Sequence, residues 1–225
     1  MKFAVLGTAT VGRAIAGRLD ELGHDVTIGT RDPEATLARS ETDGMGNPPY
    51  AEWAAQHTGI RLATFSEAAA RAEAVVNATS GGTSLDVLAL AGEGNLDGKV
   101  LIDIANPLDF AQGMPPTLLV KDTDSLAEQI QRAFPETRVV KTLNTLTAAL
   151  MVRPDMLPEG SSVFVSGDDA DAKAIVSTLL KEFDHTDVID LGDLSTARGT
   201  EMLLPIWLRL MGSLGTPMFN FKIVR

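Results

Sequence analysis

Short apolar runs alternate along this chain with stretches whose apolar residues recur at helical spacing, the pattern of strands alternating with helices. The first run, Lys2-Phe3-Ala4-Val5-Leu6, reads as a strand and enters the turn Gly7-Thr8-Ala9-Thr10-Val11-Gly12. Beyond it Val11, Ile15, Leu19 and Leu22 share one helical face, while Arg13, Arg18, Asp20 and Glu21 fall largely elsewhere. Gly23 supplies the stop, and Asp25-Val26-Thr27-Ile28 is a second strand. A helix is expected to continue over 35–40, the turn formers Asp43-Gly44-Met45-Gly46-Asn47-Pro48-Pro49 predict a surface loop, and 50–57 reads as helix again. Strand 61–64 and an alanine-rich helix over 66–71, opened by the capping pair Ser66-Glu67, follow.

The remaining runs repeat the pattern. Glu73 to Thr79 is a fourth strand, an apolar run of the kind that a parallel sheet buries on both faces, Lys99 to Ile104 is a fifth and Arg138 to Leu143 a sixth. Helix 125–134 precedes the sixth strand; strand 162–167, helix 168–183 and strand 187–191 follow it. From Leu194 onward Ala197, Glu201, Leu204 and Leu208 repeat at helical spacing, with Pro205 expected to kink or break the helix. This segment is more apolar than one face requires, which predicts packing against another subunit.

The strand–glycine turn–helix at the start is a dinucleotide-binding pattern: it aims free backbone N–H groups and the positive end of a helix at a pyrophosphate. Gly7 permits the sharp turn and Gly12 lets the helix lie close to the sheet, but Ala9 stands where a second glycine is expected. At the tip of the second strand Ile28-Gly29-Thr30-Arg31-Asp32-Pro33 offers a hydroxyl and a guanidinium in place of the acid that binds a ribose 2′-hydroxyl, so a 2′-phosphate and NADP(H) are favoured over NAD(H). The same residues also read as a helix cap, and the two roles are compatible. The loops Thr79-Ser80-Gly81-Gly82, Ala105-Asn106-Pro107-Leu108 and Asn144-Thr145-Leu146-Thr147 all leave carboxyl ends of strands, where ligands lie in an open α/β sheet. Asp103, inside an apolar strand, is expected to bind backbone N–H groups and fix its loop. His24 and His57 read as helix C-caps.

Composition adds exclusions. The 225 residues are 44% hydrophobic and 22% charged, with a formal net charge of -11 and a pI near 4.7. That balance argues against nucleic acid or an anionic membrane as partner. With no cysteine there is no disulfide, thiol nucleophile, Cys-ligated zinc or iron–sulfur cluster; no metal site is expected, and redox chemistry must come from a bound cofactor. The small-residue triplet Ala14-Ile15-Ala16 mimics a signal peptide, but Arg13 interrupts the run. The apolar segment 202–219 carries Pro205, Arg209 and Gly212, so no membrane span is expected, and the chain reads as soluble and cytoplasmic.

On the motifs Gly7-Thr8-Ala9-Thr10-Val11-Gly12, Gly29-Thr30-Arg31, Asn77-Ala78-Thr79, Asp103-Ile104-Ala105-Asn106-Pro107, Lys141-Thr142-Leu143-Asn144-Thr145, Ser166-Gly167-Asp168-Asp169 and Ala197-Arg198-Gly199-Thr200-Glu201 ahead of Pro205, the chain resembles the coenzyme F420-dependent NADP oxidoreductase family over nearly its whole length. The resemblance implies an α/β fold: a Rossmann-type doubly wound parallel sheet over 1–146 that holds NADP(H), and a small C-terminal α/β domain over 147–225, ending in helix, that covers the cleft. It also implies a homodimer and direct hydride transfer between nicotinamide and the deazaflavin F420. Ala9 departs from the family pattern, and so does Asn144, where the archaeal F420 enzymes have a histidine. The Asn version is similar to bacterial relatives and to the reductase domains of metalloreductases, which pass electrons to a flavin, so FMN or FAD stays open as acceptor.

On this reading the protein need only stack the two rings with reacting carbons ~3–3.5 Å apart and exclude water. Thr8, Thr10, Val11, Thr30 and Arg31 are assigned to the nucleotide half, with Asn77 and Thr79 also in the cofactor site. Ser80, Asn106, Pro107 and Asn144 surround the nicotinamide. Leu204 and Pro205 wall the acceptor side, with plain core packing as the other reading of both. Asn144 or backbone N–H groups would polarise the acceptor ring, and no general acid stands out. Arg198, Arg209 and Lys222 are candidates for an anionic acceptor tail, against solvated or inter-subunit pairing. Two competing readings are a small-molecule dehydrogenase on the same nucleotide domain, such as an imine or hydroxy-acid reductase, and a non-catalytic NADP(H)-sensing module.

Overall fold

A computed structural model describes residues 1–42 and 46–225; Asp43, Gly44 and Met45 of the expected turn-rich loop lie outside the described residues. Strands β1 (Lys2–Leu6), β2 (Asp25–Thr30), β3 (Arg61–Thr64), β4 (Ala74–Asn77) and β5 (Val100–Asp103) alternate with helices α1 (Thr10–Glu21), α2 (Pro33–Ala38), α3 (Tyr50–Gln56), α4 (Phe65–Arg71), α5 (Ser84–Ala91) and α6 (Glu93–Leu96). A two-stranded antiparallel arm, β6 (Leu108–Asp109) and β7 (Thr117–Leu118), leads to α7 (Leu126–Ala133) and β8 (Arg138–Thr142). Then come α8 (Ala148–Val152), β9 (Ser162–Ser166), α9 (Ala170–Glu182), β10 (Asp187–Asp190), α10 (Ala197–Met202) and α11 (Leu204–Leu214).

Eight strands form one sheet in the order β10-β9-β8-β5-β4-β1-β2-β3. The six from β3 to β8 are parallel, and β9 joins β8 antiparallel, pairing Lys141 with Ser166 and Thr142 with Val165. The C-terminal segment thus begins by extending the same sheet, with β10 parallel to β9, and continues into α10 and α11; the expected helix stops at Leu214, and 215–225 is a non-helical tail whose Phe221 carbonyl accepts the Ser162 N–H of β9. Alternate side chains of each central strand enter opposite cores. Phe3, Val5, Val76, Ile102 and Val140 pack with Ile15 and Leu19 of α1, Leu150 of α8 and Val176 of α9. On the other face Ala4, Leu6, Val75, Leu101 and Val139 pack with Ala68 of α4, Leu88 of α5 and Ile130 of α7. Burial on both faces is why these strands are continuous apolar runs.

Local chemistry sets the boundaries. Helix α4 is capped by Thr64, not Ser66: Thr64 Oγ1 accepts the Glu67 N–H, and Glu67 reaches back to the Thr64 N–H at 3.0 Å, a reciprocal capping box. Near Pro205 the helix breaks: α10 ends at Met202, and α11 restarts with Pro205 in its first turn, where a missing N–H costs nothing. His57 Nδ1 donates to the Trp53 carbonyl in the last turn of α3, as a C-cap would. His24 does not cap; its ring lies between the chain's amino group and Glu182. No helix among the described residues is long and apolar enough to cross a membrane.

Candidate functional site

The glycine turn is as tight as its sequence implies. Gly7 has φ +127°, and a Cβ on it would lie 2.6 Å from the Ala78 carbonyl; a Cβ on Gly12 would lie 2.1 Å from the carbonyl oxygen of Gly7. Ala9 is the exposed N-cap of α1, in extended conformation, and no side chain caps the helix. Intrahelical bonding starts with Arg13 N–H to Ala9 O, and no acid sits in the first turn. The amides of Thr10, Val11 and Gly12 therefore face outward at the positive helix end, the arrangement that a pyrophosphate fits. Ala9 is exposed and borders two cavities.

The first cavity, about 430 Å³, lies beside Thr8 and Arg13 and is closed by Arg39–Thr42 and Pro48–Tyr50. Arg13 is a strap across it: Nε donates to the Thr8 carbonyl at 2.7 Å, Nη1 donates to the Pro48 carbonyl at 2.6 Å, and the guanidinium sits 5.5 Å from the Tyr50 ring centroid. Asn47 Nδ2 donates to Thr10 Oγ1. Burial pushes the Tyr50 hydroxyl up to about 12, against a smaller opposing pull from Arg13. At the tip of β2, Asp32 caps α2 by accepting the Ala35 N–H, while Arg31 is exposed and makes no hydrogen bond or ion pair among the described residues. Cap and free guanidinium therefore coexist. The expectation of a free hydroxyl at Thr30 needs correction: its Oγ1 is turned inward, 2.9 Å from Thr36 Oγ1. Arg39, exposed on the cavity wall, escaped the sequence reading because it follows a short helix with no motif around it.

The second cavity, about 440 Å³, lies at the carboxyl edge of the sheet. Ala9, Thr10 and Val11 form one rim, and Thr79, Ser80, Ala105, Asn106 and Asn144 form the polar floor. Met151, Leu204, Trp207, Leu208 and the half-exposed Phe110 form an apolar wall. Gly81 is required here, since a Cβ would lie 2.1 Å from the Asn106 carbonyl. Asn106 Nδ2 donates to the Asn144 carbonyl at 2.8 Å, and Asn144 Nδ2 donates to Asn106 Oδ1 at 2.9 Å and to the Thr200 carbonyl at 3.0 Å. Both side-chain N–H groups of Asn144 are thus committed, so they are not available to polarise an acceptor ring; its Oδ1 has no hydrogen-bond partner among the described residues.

Three further assignments shift. Asn77 is fully buried and does not border the cavity; its Nδ2 donates to Ser84 and Asp103, and its Oδ1 accepts the Thr79 hydroxyl at 2.6 Å. It positions Thr79. Pro107 is buried behind Asn106, its carbonyl accepting the Leu119 N–H. Pro205 is exposed: Leu204, Trp207 and Leu208 share one face of α11, and one residue of helical rotation carries Pro205 away from it. Of the cations considered for an acceptor tail, Arg198 pairs with Glu128 and Lys222 with Glu159, while Arg209 is exposed.

The sequence reading missed a buried ion cluster beneath this floor. Lys141, 1% exposed, places Nζ 2.9 Å from Asp103 Oδ2 and 2.9 Å from Glu201 Oε1, and also donates to the Ala105 carbonyl. Burial pushes the Lys141 ammonium down, but the two carboxylates outweigh it and hold Lys141 above the ordinary lysine range. Asp103 also accepts the Ala105 N–H, as its place in the strand implied. Glu201 accepts the N–H groups of Leu126 and Ala127 at the start of α7.

A family profile described as NADP oxidoreductase, coenzyme F420-dependent, matches residues 2–107. The chain is 30% identical over 216 residues to the F420-dependent NADP reductase of Methanothermobacter marburgensis, covering 93% of this chain and 92% of that protein. It is 29% identical over 213 residues to the metalloreductase STEAP3 of Rattus norvegicus, covering 92% of this chain and 38% of that longer protein. The crystal structure of a candidate F420-dependent NADP reductase from Arthrobacter sp. FB24 superposes with a TM-score of 0.96, at 62% identity and 100% coverage of both chains. An uncapped glycine turn, an exposed arginine where a ribose acid would stand, and relatedness along nearly the whole chain place it together: it belongs to the F420-dependent NADP oxidoreductase family.

Proposed function

We propose that the protein transfers a hydride between NADP(H) and the deazaflavin coenzyme F420. The observation that carries this reading is the pair of cavities meeting at the uncapped N-terminus of α1, one polar and arginine-strapped, the other apolar-walled over an asparagine floor. The amides of Thr10, Val11 and Gly12 hold the pyrophosphate, and Arg31 with Arg39 supplies the positive charge for a 2′-phosphate. Asn144 Oδ1 and Ser80 Oγ orient the nicotinamide carboxamide. When bound, NADPH supplies the hydride; the residues around it bind, orient and exclude water. Leu204, Trp207 and Leu208 keep the acceptor face dry. No Asp, Glu, His, Lys or Arg among the described residues borders the second cavity, so the proton balancing hydride transfer is exchanged with solvent or through the Thr79 and Ser80 hydroxyls. The exposed Met202, Ile206 and Leu214, apolar side chains at the end of α10 and along α11, support the expected homodimer.

The second reading keeps the nucleotide side and replaces F420 by FMN or FAD. It is favoured by Asn144 in place of histidine and by the likeness to a metalloreductase. Mixing the protein anaerobically with NADPH and oxidised F420, with NADH and FMN in parallel arms, tests both. Loss of the deazaflavin absorbance with NADPH but not NADH is the expected result. Reduction of FMN alone transfers the assignment to the flavin. NADPH binding with no acceptor reduced would leave a sensing module.

A further inference from the structure

Lys141 is one of the largest side chains with under 2% exposure among the described residues, and nothing in the hydride-transfer reading uses it. It lies on β8 beside its register partner Asp103 on β5, and its ammonium also meets Glu201 on α10. Two lines of hydrogen bonds run from this ammonium to the cavity. Through Asp103 the line passes to Asn77 Nδ2 at 2.9 Å and ends at the Thr79 hydroxyl on the floor. Through Glu201 it passes along the backbone to Thr200, whose carbonyl accepts from Asn144, which in turn donates to Asn106. Two residues past α10's last residue, the same helical segment delivers Leu204 to the apolar wall.

We propose that the Lys141–Asp103–Glu201 triad is a positioning device for hydride transfer: it locks α10 to the carboxyl edge of the sheet and so sets the spacing between the asparagine floor and the Leu204 wall. The role rests on the hydride-transfer reading above. Charge-assisted N–H···O contacts are short and directional, whereas apolar contacts of the same volume slide with little change in energy. A buried ion cluster adds little net stability over apolar packing, so its value lies in the geometry that it specifies. The triad gathers β5, β8, α7 and α10 at one point, because Glu201 also receives the first two N–H groups of α7. A displacement on the order of 1 Å at reacting atoms costs about a hundredfold in rate, and α10 is short enough to shift as a unit when its anchor goes.

The test is Lys141→Met, read by NADPH affinity, by kcat with F420 or FMN, and by the primary deuterium isotope effect with NADPH labelled at the transferred position. The expected result is a folded variant whose Kd for NADPH stays within about threefold, whose kcat falls at least about tenfold, and whose isotope effect on kcat rises because hydride transfer has become slower. A folded variant with wild-type kcat and isotope effect overturns the proposal. So does a loss of kcat that only follows the loss of folded protein, with the isotope effect unchanged. If Lys141→Met does not fold, Glu201→Gln, which keeps the side-chain shape and removes one charge, is read in the same way. A wild-type protein that reduces neither F420 nor FMN overturns the functional reading and this role with it; the variant outcomes overturn the role alone.

Discussion

The two cavities that meet at Ala9 are nearly equal in volume, about 430 and 440 Å³, but are held in opposite ways. At the first cavity the charged groups are exposed or strap across the surface: Arg39 is exposed on the wall, and Arg13 reaches over to Pro48 and Tyr50. On the other side every charge is withdrawn beneath the floor, and what borders the cavity is neutral. Under the proposed function the contrast follows from the ligand each side would take. A phosphate is recognised by cations that can pay their own desolvation at the surface, whereas a ring that gives or takes a hydride needs a dry, neutral, fixed surround.

The strongest way to break this comparison is at the turn both cavities share. Gly12→Ala places a methyl group 2.1 Å from a backbone oxygen, which must move. We expect a loss of about 3 kcal/mol or more in denaturant unfolding, together with loss of NADPH binding. Gly17→Ala, on the same helix, meets only the His57 ring at 3.5 Å and is expected to stabilise by roughly 0.5–1 kcal/mol, so the pair separates crowding from helix propensity.

A smaller effect separates the floor from the straps. Asn144→Ala removes both donors that hold Asn106 and α10, and kcat should fall by about a hundredfold with little change in NADPH affinity. Arg31→Ala should do the reverse, lowering the preference for NADPH over NADH by about tenfold and leaving kcat with saturating NADPH unchanged. If Asn144→Ala and Arg31→Ala moved the same kinetic constant, the two sides would not be functionally distinct.

The least perturbing test concerns the strap. Tyr50 is the only tyrosine in the chain, so alkaline absorbance titration reports it alone. Its folded value of about 12 lies above the value near 10 of an exposed phenol, so the unfolded chain gives up this proton first. Stability from this group is therefore full below about pH 10 and is lost as the pH rises from there toward 12. A titration midpoint near 10 in the folded protein would mean that the strap leaves Tyr50 open to water.

How legible all this was depended on the range of the interaction. The six parallel strands, the glycine turn and the three floor loops were readable because strand periodicity, Gly7 and Gly12 are local signals, and because parallel order then sends every loop to one edge. The direction of β9 was not, since an apolar run carries no arrow. Pro205 was misplaced because a helix turns about 100° per residue, and only packing tells which side faces the cavity. Asn77 was read in the fourth strand and Asn144 in an edge loop, and both stand there, yet their donors are spent on partners 26 and 56 positions away. The triad left a faint trace: Asp103 and Lys141 are charges inside apolar runs, and they occupy matching places on neighbouring strands. Glu201 completes it from another helix, and no spacing rule connects residues that distant.

Trp207 stands in the apolar wall, stacked on Phe219 of the C-terminal tail with centroids 5.4 Å apart. The chain's other tryptophan, Trp53, lies outside the lining of this cavity, beside Ala14 and Gly17 of α1 and stacked on His57 at 4.1 Å. The protein therefore carries a built-in optical probe of its second cavity: replacing Trp53 by phenylalanine leaves Trp207 as the sole indole emitter, and its quenching by a bound chromophore reports acceptor loading without any label.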